Sequence, residues 1–485
     1  MGEHRASEPG PRVDLTRPRR VHLIGIGGSG MSAIAIVLAS LGHRVSGSDA
    51  ASSATLERLA RLGIAVHAGH DPTWVGGADV IAASTAIPGD NVEVEEAAQS
   101  GRRVWRRAEL LAAICDLRRT VAVAGTHGKT TTSAMLSLVM RDGGLHPSMI
   151  VGGDIIDGEG AGSGGASAVA AAGPGAAWDP AGDWLVVEAD ESDGTFLDLG
   201  AEAVVVTSVE PDHLDHYGSE TALRQAFARF VAGATGPAVV CADDPGAASL
   251  APGRAGTVTY GLSPDAAVRV VDVDLRGAGS GFRVVAGGRR SRPVSLPVPG
   301  LHNVRNAAAA MAMGDALGVP HDVSAEALGS YRGVSRRFER RGERDGVTFI
   351  DDYGHLPGEV AATLSAARSG GWSRVVAVFQ PHRFTRTQAL WPAFADAFVG
   401  ADILVLTDVY PAGEPPRPGV SGKLIADAVT SAHPDADVRY VATLDDAAVV
   451  LAGLLRPGDL CLTMGAGDLT HLPDRLLGPE GCARG

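Results

Sequence analysis

The sequence predicts an α/β protein of three domains, each built on a parallel sheet covered by helices. Three observations carry that expectation. The chain has 485 residues, and a domain commonly takes roughly 150. Strand–helix alternation starts afresh near residues 20, 119 and 333, and such alternation is the mark of parallel sheets with crossover helices. The first two starts each pass from strand to helix through a glycine-rich loop, the turn by which these folds approach a phosphate.

Residues 1–19 read as a polar, charged leader without an apolar stretch, so no signal peptide is expected. The first domain, residues 20–118, opens with a strand over Val21–Ile26 and a helix over Met31–Leu41. Gly25, Gly27, Gly28, Ser29 and Gly30 lie between them, where glycine allows a tight turn close to a ligand. Asp49, ending the next strand after Ser48, is placed to accept from a ribose hydroxyl. The loop taken alone fits a NAD site, another nucleotide site or a bare structural turn.

The second domain, residues 119–332, starts with a strand over Thr120–Ala124, then Gly125, Thr126, His127, Gly128, Lys129, Thr130 and Thr131, then a helix from Lys129 to Asp142. This reads as a shortened phosphate loop, in which Lys129 would reach β- and γ-phosphates and Thr130 would hold Mg²⁺; an ordinary helix start is the alternative. Lys129 and Lys423 are the only lysines of the chain. A solvated lysine exchanges easily for arginine, but the larger planar guanidinium suits a tight phosphate loop poorly. Acidic runs Glu188–Asp193 and Glu210–His216 follow two further strands. Both then lie at strand C-terminal ends, where ligands bind in open α/β sheets, and their oxygens suit a hard cation; solvated acidic turns are the alternative. His213 reads equally as ligand or core residue. Residues of about 160–182 read as a flexible Gly/Ala/Ser/Pro-rich insertion, and Val268–Asp274 with Gly281–Val285 as a small antiparallel addition. Asn303 opens a long helix, either as its N-cap or, with Asn306, as a reader of an adenine edge.

The third domain, residues 333–485, alternates strands Val347–Ile350, Val375–Phe379, Ile403–Thr407, Val438–Val441 and Leu460–Met464 with helices that include Glu359–Ala367 and Ala389–Phe398. Two strand-end loops carry Tyr353, His355, Arg383 and Arg386, a set suited to a carboxylate or phosphate; surface ion pairs are the plainer reading of each loop alone. A net charge of −14 argues against nucleic-acid and anionic-membrane partners. The four cysteines are scattered without C-x-x-C spacing, as in a reducing cytoplasm. No apolar run nears the roughly 20 residues of a membrane span.

In order and spacing these segments resemble the Mur ligase family. The resemblance runs from about residue 20 to 470 through GIGGSGMS, VSGSD, Ser84–Ile87, AGTHGKTTT, EADESDGTFL, EPDHLDHY, HNVRNAAAA, GVSRRFE, DDYGH, QPHRFTRT, DVYPAGE and GAGD. It implies a Rossmann-like UDP-binding domain, a P-loop-type central ATPase domain and a C-terminal Rossmann-like domain for the amino acid and part of the nucleotide. The implied activity is ATP-dependent coupling of L-alanine to the carboxylate of UDP-N-acetylmuramate through an acyl phosphate, with Mg²⁺, in the cytoplasmic stage of peptidoglycan precursor synthesis, by a monomer or homodimer.

By motif, the resemblance puts the UDP-sugar at Gly25, Gly27, Gly28, Ser29, Gly30, Ser48, Asp49 and Ser84. It puts ATP at Gly125–Thr131, Asn303, Asn306 and Arg336. The metal falls to Thr130, Glu188 and His213, and the amino acid to Tyr353, His355, Arg383 and Arg386; catalytic roles fall to Lys129, His213, His355, Arg383 and Arg386. The chain departs from the family text at Leu356 and Gly358, where a histidine and a threonine are usual, at Ser208, where asparagine is usual, and in its Gly/Ala-rich insertion. Sister ligases carry a carbamylated lysine past the Asp-His motif; here that position falls near Phe227. A paralogue adding another amino acid, or binding UDP-sugar without turnover, is the alternative. An NAD-dependent oxidoreductase would leave the second loop and the acidic runs without a task.

Overall fold

The computed structural model describes residues 12–156 and 175–481. It divides into two compact units. One comprises Met1–Val271, Arg283–Arg292 and Arg305–Leu328; the other comprises Asp272–Phe282, Pro293–Val304 and Gly329–Gly485.

The first unit holds the first two predicted sheets. Its N-terminal sheet is parallel, in the order Ala65–Ala68, Arg44–Asp49, Arg20–Ile24, Val80–Ala83, Val104–Arg106. Chain order reverses between Arg20–Ile24 and Val80–Ala83, which opens a crevice at the strands' C-terminal ends. The first glycine loop leaves one of these strands and Ser84 follows the other. The helix begins at Ser29 rather than Met31, because Gly28 is an extended N-cap (φ −66°, ψ 146°). The described end of the leader is packed down: Val13 and Leu15 are buried, and Arg12 pairs with Asp116. Residues 1–11 lie outside the described residues.

The central sheet has a parallel core in the order Val258–Gly261, Ala238–Cys241, Ala203–Val206, Arg119–Ala124, Trp184–Glu188, Ser148–Ile150. Its strands read as near-continuous apolar runs because consecutive residues, which point to opposite faces, are alike buried. Of the predicted flexible insertion, residues up to 174 lie outside the described ones. Its later part is ordered: Ala176–Ala177 adds an antiparallel edge strand, with Ala176, Ala177 and Trp178 buried. Of the predicted antiparallel addition, Val268–Asp274 and Ser280–Ala286 are hydrogen-bonded neighbours in the sheet. Val268–Asp274 pairs parallel with Val258–Gly261, whereas Ser280–Ala286 pairs antiparallel with Arg289–Arg290 and Val294–Leu296. The helix Leu301–Ala316 starts before Asn303, so Asn303 is not its N-cap.

The second unit carries a six-stranded sheet in the order Glu339–Arg344, Val347–Asp352, Asp459–Met464, Arg374–Phe379, Ile403–Leu406, Asp437–Tyr440, antiparallel only at Glu339–Arg344. Phe379, Phe394 and Phe398 fill its core. The predicted helix over Ala389–Phe398 is instead the α-helix Phe384–Leu390 followed by a 3₁₀ turn at Trp391–Phe394. Pro392 cannot donate into a continuing helix, and it pushes its predecessor away from helical geometry. Leu356 is the buried N-cap of the helix Pro357–Ser369 and has no polar atom to offer. The Glu359 carboxylate takes over the capping, accepting from the backbone N–H of His355 at 2.9 Å and of Leu356 at 3.2 Å. No described helix is long and apolar enough to cross a membrane.

Candidate active site

The two glycine loops of the first unit are built differently. At Gly27 an added Cβ would lie 2.8 Å from Asp49 Oδ2, and the Gly27 N–H donates to that oxygen at 2.8 Å. Asp49 therefore braces the loop as well as ending its strand. At Gly28 the nearest atom to a built Cβ is Gly25 O at 3.7 Å, and Gly28 and Ser29 are exposed. The loop is thus closed on the protein side and open at the helix N-terminus. Arg107, unremarked in the sequence, lies over Gly30: a Cβ there would meet its Nη1 at 2.7 Å. The same guanidinium pairs with Asp190 at 3.1 Å, tying this loop to the acidic run of the central sheet.

The second loop is filled by the protein itself. Gly125 has φ +138°, and a Cβ there would come within 2.1 Å of Thr207 Oγ1. Gly128 has φ +78°, with Asn306 Oδ1 2.4 Å from a built Cβ, so Asn306 lies directly against the loop. The Thr126 N–H donates to Ser208 O and the His127 N–H to Ser208 Oγ, each at 3.0 Å. Ser208, one of the departures from the family text, thereby anchors the loop with both backbone and hydroxyl. The amides that open the helix Lys129–Asp142 have no intrahelical carbonyl to meet, which suits an anion.

Lys129 Nζ donates to Gly125 O at 2.6 Å and to Glu191 Oε1 at 2.8 Å. Burial works against its charge, but Glu191 first and Glu188 next outweigh it and hold the ammonium above its ordinary range. Burial pushes the Glu191 carboxyl up, and Lys129 offsets this only in part. Glu191 Oε2 is buried without a hydrogen-bond partner. The Thr130 hydroxyl donates to Glu188 Oε2 at 2.9 Å, and the Gly152 N–H to the same oxygen at 2.7 Å. His213, at φ +54°, caps the single helical turn Leu214–Tyr217, its Nε2 3.4 Å from Asp212. The Tyr217 hydroxyl at the end of that turn donates to Glu191 O at 2.5 Å. Among the described residues no three His, Cys, Asp or Glu side chains gather closely enough to form a metal site by themselves. Thr130 and Glu188 instead present two adjacent hard oxygens, bonded to each other at 2.9 Å, of the donor type a hard cation prefers. Phe227 is buried against Phe196.

In the second unit Tyr353, His355, Arg383 and Arg386 come together with His382. The Tyr353 and His355 rings are 5.4 Å apart, those of His355 and His382 5.9 Å, and His382 stacks on Tyr410 at 5.7 Å. Arg386 Nη1 is 3.2 Å from His382 Nδ1. Arg383 does not stand alone: its Nε donates to Glu414 at 2.7 Å, a partner 31 positions away that no local spacing points to. Arg336 lies over the Tyr353 ring and donates to Gly465 O at 2.7 Å. Asn303 and Asn306 are both buried one turn apart on the same helix; the Asn303 side chain donates to Pro299 O at 2.8 Å.

Burial, then the fields of His355, Arg386 and Arg383, push His382 down from 6.5 to about 4. The unfolded ring protonates near 6.5, so the stability gained by holding it neutral is full above that pH and is lost as pH falls toward 4. The melting temperature is expected to drop between pH 7 and pH 5 by more in the wild type than in His382→Gln. Equal drops in the two proteins would remove His382 as the source.

Comparison with known proteins covers all three sheets. Residues 20–119 match the model of the Mur ligase family catalytic domain, 123–314 the Mur ligase middle domain and 336–467 the Mur ligase glutamate ligase domain. A UDP-N-acetylmuramate–L-alanine ligase of Bradyrhizobium sp. (strain ORS 278) is 44% identical over 94% of this chain and 97% of its own length. One from Solidesulfovibrio magneticus is 45% identical over 95% and 98%. The crystal structure of the UDP-N-acetylmuramate–alanine ligase of Thermotoga maritima superposes with a TM-score of 0.79 at 29% identity, covering 95% of this chain and 98% of that one.

Proposed function

The chain belongs to the Mur ligase family, and on that premise we propose that it joins L-alanine to the carboxylate of UDP-N-acetylmuramate, consuming ATP, in the cytoplasmic stage of peptidoglycan precursor synthesis. The observation that carries this reading is the near full-length match to alanine-adding ligases, together with a phosphate loop whose lysine is already held charged between Gly125 and Glu191.

Carboxylate and amine do not condense unaided. The muramate carboxylate attacks the γ-phosphorus of ATP, releasing ADP and leaving an acyl phosphate. The alanine amine then adds to the acyl carbon, and the tetrahedral intermediate expels phosphate. Such phosphoryl transfer needs positioning and neutralisation of charge. The loop Gly125–Thr131 cradles the phosphates, with Lys129 meeting the charge of the transferring group. Thr130, Glu188 and His213 are the residues that would hold magnesium, which would supply electrostatic neutralisation of the phosphate oxygens. Asn303, Asn306 and Arg336 contact ATP. Tyr353, His355, Arg383 and Arg386 receive L-alanine, with Arg386 the arginine left to its carboxylate and His355 held neutral by burial. The first loop, with Ser48, Asp49 and Ser84, takes the UDP. The domains of this enzyme run over residues 20–118, 119–332 and 333–485.

Phosphate release with UDP-N-acetylmuramate, ATP and a panel of amino acids tests the reading. Turnover is expected with L-alanine ahead of other small amino acids, and its absence with all of them defeats the proposal. Leu356 and Gly358 make the panel informative, since both sit at the helix start beside His355. For the first loop, Gly28→Val is expected to weaken UDP binding at least about tenfold in calorimetry. The open space at Gly28 admits the side chain, which then occupies the anion's place while the fold stands. Unchanged UDP affinity would take the nucleotide away from this loop.

A further inference from the structure

Behind the first glycine loop lies a buried chain of polar groups that the reaction above does not use. Glu93 is wholly buried on the helix Val92–Gln99. Its Oε2 is 2.6 Å from Nε2 of His22, also wholly buried, and its Oε1 is 2.7 Å from Nδ1 of His70. His22 Nδ1 reaches Ser46 Oγ at 2.9 Å, and Ser48 Oγ lies 3.3 Å from His70 Nδ1. Burial pushes the Glu93 carboxyl up, but hydrogen bonds from His22, Ser48 and His70 overcome it and hold the group below its ordinary range.

Apolar side chains of the same volume would fill this space without the cost of desolvating a carboxylate. What a carboxylate adds is orientation: bonded at Nδ1, it fixes which ring nitrogen carries the proton. His70 is the exposed end of the chain, with 19% of its side chain open, and its Nε2 makes no hydrogen bond among the described residues. Its neighbour Ser48 holds the glycine loop, accepting at its carbonyl from Gly25 N–H at 2.8 Å and Ile26 N–H at 3.0 Å. His70 thus stands at the C-terminal end of the parallel sheet, on the ligand side.

We propose that Glu93, backed by His22, is a positioning residue that locks His70 in its Nδ1–H form, so that Nε2 accepts a hydrogen bond from the uridine half of the UDP-sugar, at uracil N3–H or a ribose hydroxyl. The inference rests on the first loop being the UDP-sugar site.

Calorimetric titration of the full chain with UDP, the probe, tests both. His70→Asn keeps a polar atom near the position of Nδ1 but has none at Nε2, and is expected to weaken UDP about tenfold, the scale of one lost hydrogen bond. His70→Gln, whose amide extends to the Nε2 position, is expected to recover most of that loss. A purely structural His70 gives the opposite order. Steady-state kinetics are expected to show the loss in KM for UDP-N-acetylmuramate, with kcat and the KM for ATP unmoved. In ¹⁵N-histidine-labelled protein, His70 is expected as a neutral ring protonated on Nδ1, a preference that Glu93→Leu, which offers Nδ1–H no acceptor, abolishes. Wild-type UDP affinity in His70→Asn, while Gly28→Val is weakened, overturns the inference alone. Wild-type affinity in both overturns the loop assignment with it. A ring protonated on Nε2 overturns the role of Glu93.

Discussion

Lys129→Ala is expected to lower ATP turnover by about a thousandfold or more, beyond what loss of a single neutral donor costs a transition state. The structure adds a complication that the loop motif alone does not reveal. Lys129 is the ionic partner of Glu191, whose other oxygen is already without a hydrogen bond. Removing the ammonium leaves a buried carboxylate unpaired, a defect worth about 3–5 kcal/mol. The single variant is therefore expected to melt earlier as well as to fail in turnover. Adding Glu191→Gln removes the stranded charge, so the double variant is expected to regain most of the melting temperature while remaining inactive. A stable double variant with substantial phosphate release would show that Lys129 serves the fold and not the phosphates.

Glu188→Gln is expected to lower turnover about a hundredfold at moderate magnesium and to shift half-activation to much higher metal concentration. The amide keeps the shape and a carbonyl oxygen for Thr130 and Gly152, which now bond Glu188 Oε2, but it removes the charge that a hard cation prefers. Phosphate release measured across a magnesium series checks this, and a normal magnesium profile would sink the assignment. Added bicarbonate is expected to change nothing, because the position where sister ligases carry a carbamylated lysine falls near Phe227, packed against Phe196. A clear bicarbonate dependence would require a different account of how the site's charge is managed.

The parts of this fold that could be read from the sequence are those written locally. The helix Lys129–Asp142 has the bounds read from the sequence, because a glycine turn starts it and a glycine pair follows it. The sheets followed from apolar runs bounded by glycine loops. The end of the first strand and the start of its helix moved by a few residues, since Gly28 in extended geometry caps the helix earlier than hydrophobic spacing suggests. Asn303 is a capping residue type, but Gly300, at φ +103°, turns the chain before it. The pairs that set the chemistry lay out of reach. Glu191 meets Lys129 across 62 positions, Asp190 meets Arg107 across 83, and Glu414 meets Arg383 across 31. No local period encodes such contacts, and a run of four acids does not say which of them turns to a lysine and which to an arginine.

Ser208 holds the amides of Thr126 and His127 through contacts made wholly within the protein, and Thr207 takes up the His127 carbonyl on the same side. The phosphate loop is consequently shaped during folding, and the conformational entropy of ordering it is charged to folding rather than to association. On the proposed function, nucleotide binding at this loop is the filling of an existing mould, and selectivity for a polyphosphate resides in a rigid array of dipoles that ATP would meet without having to assemble it.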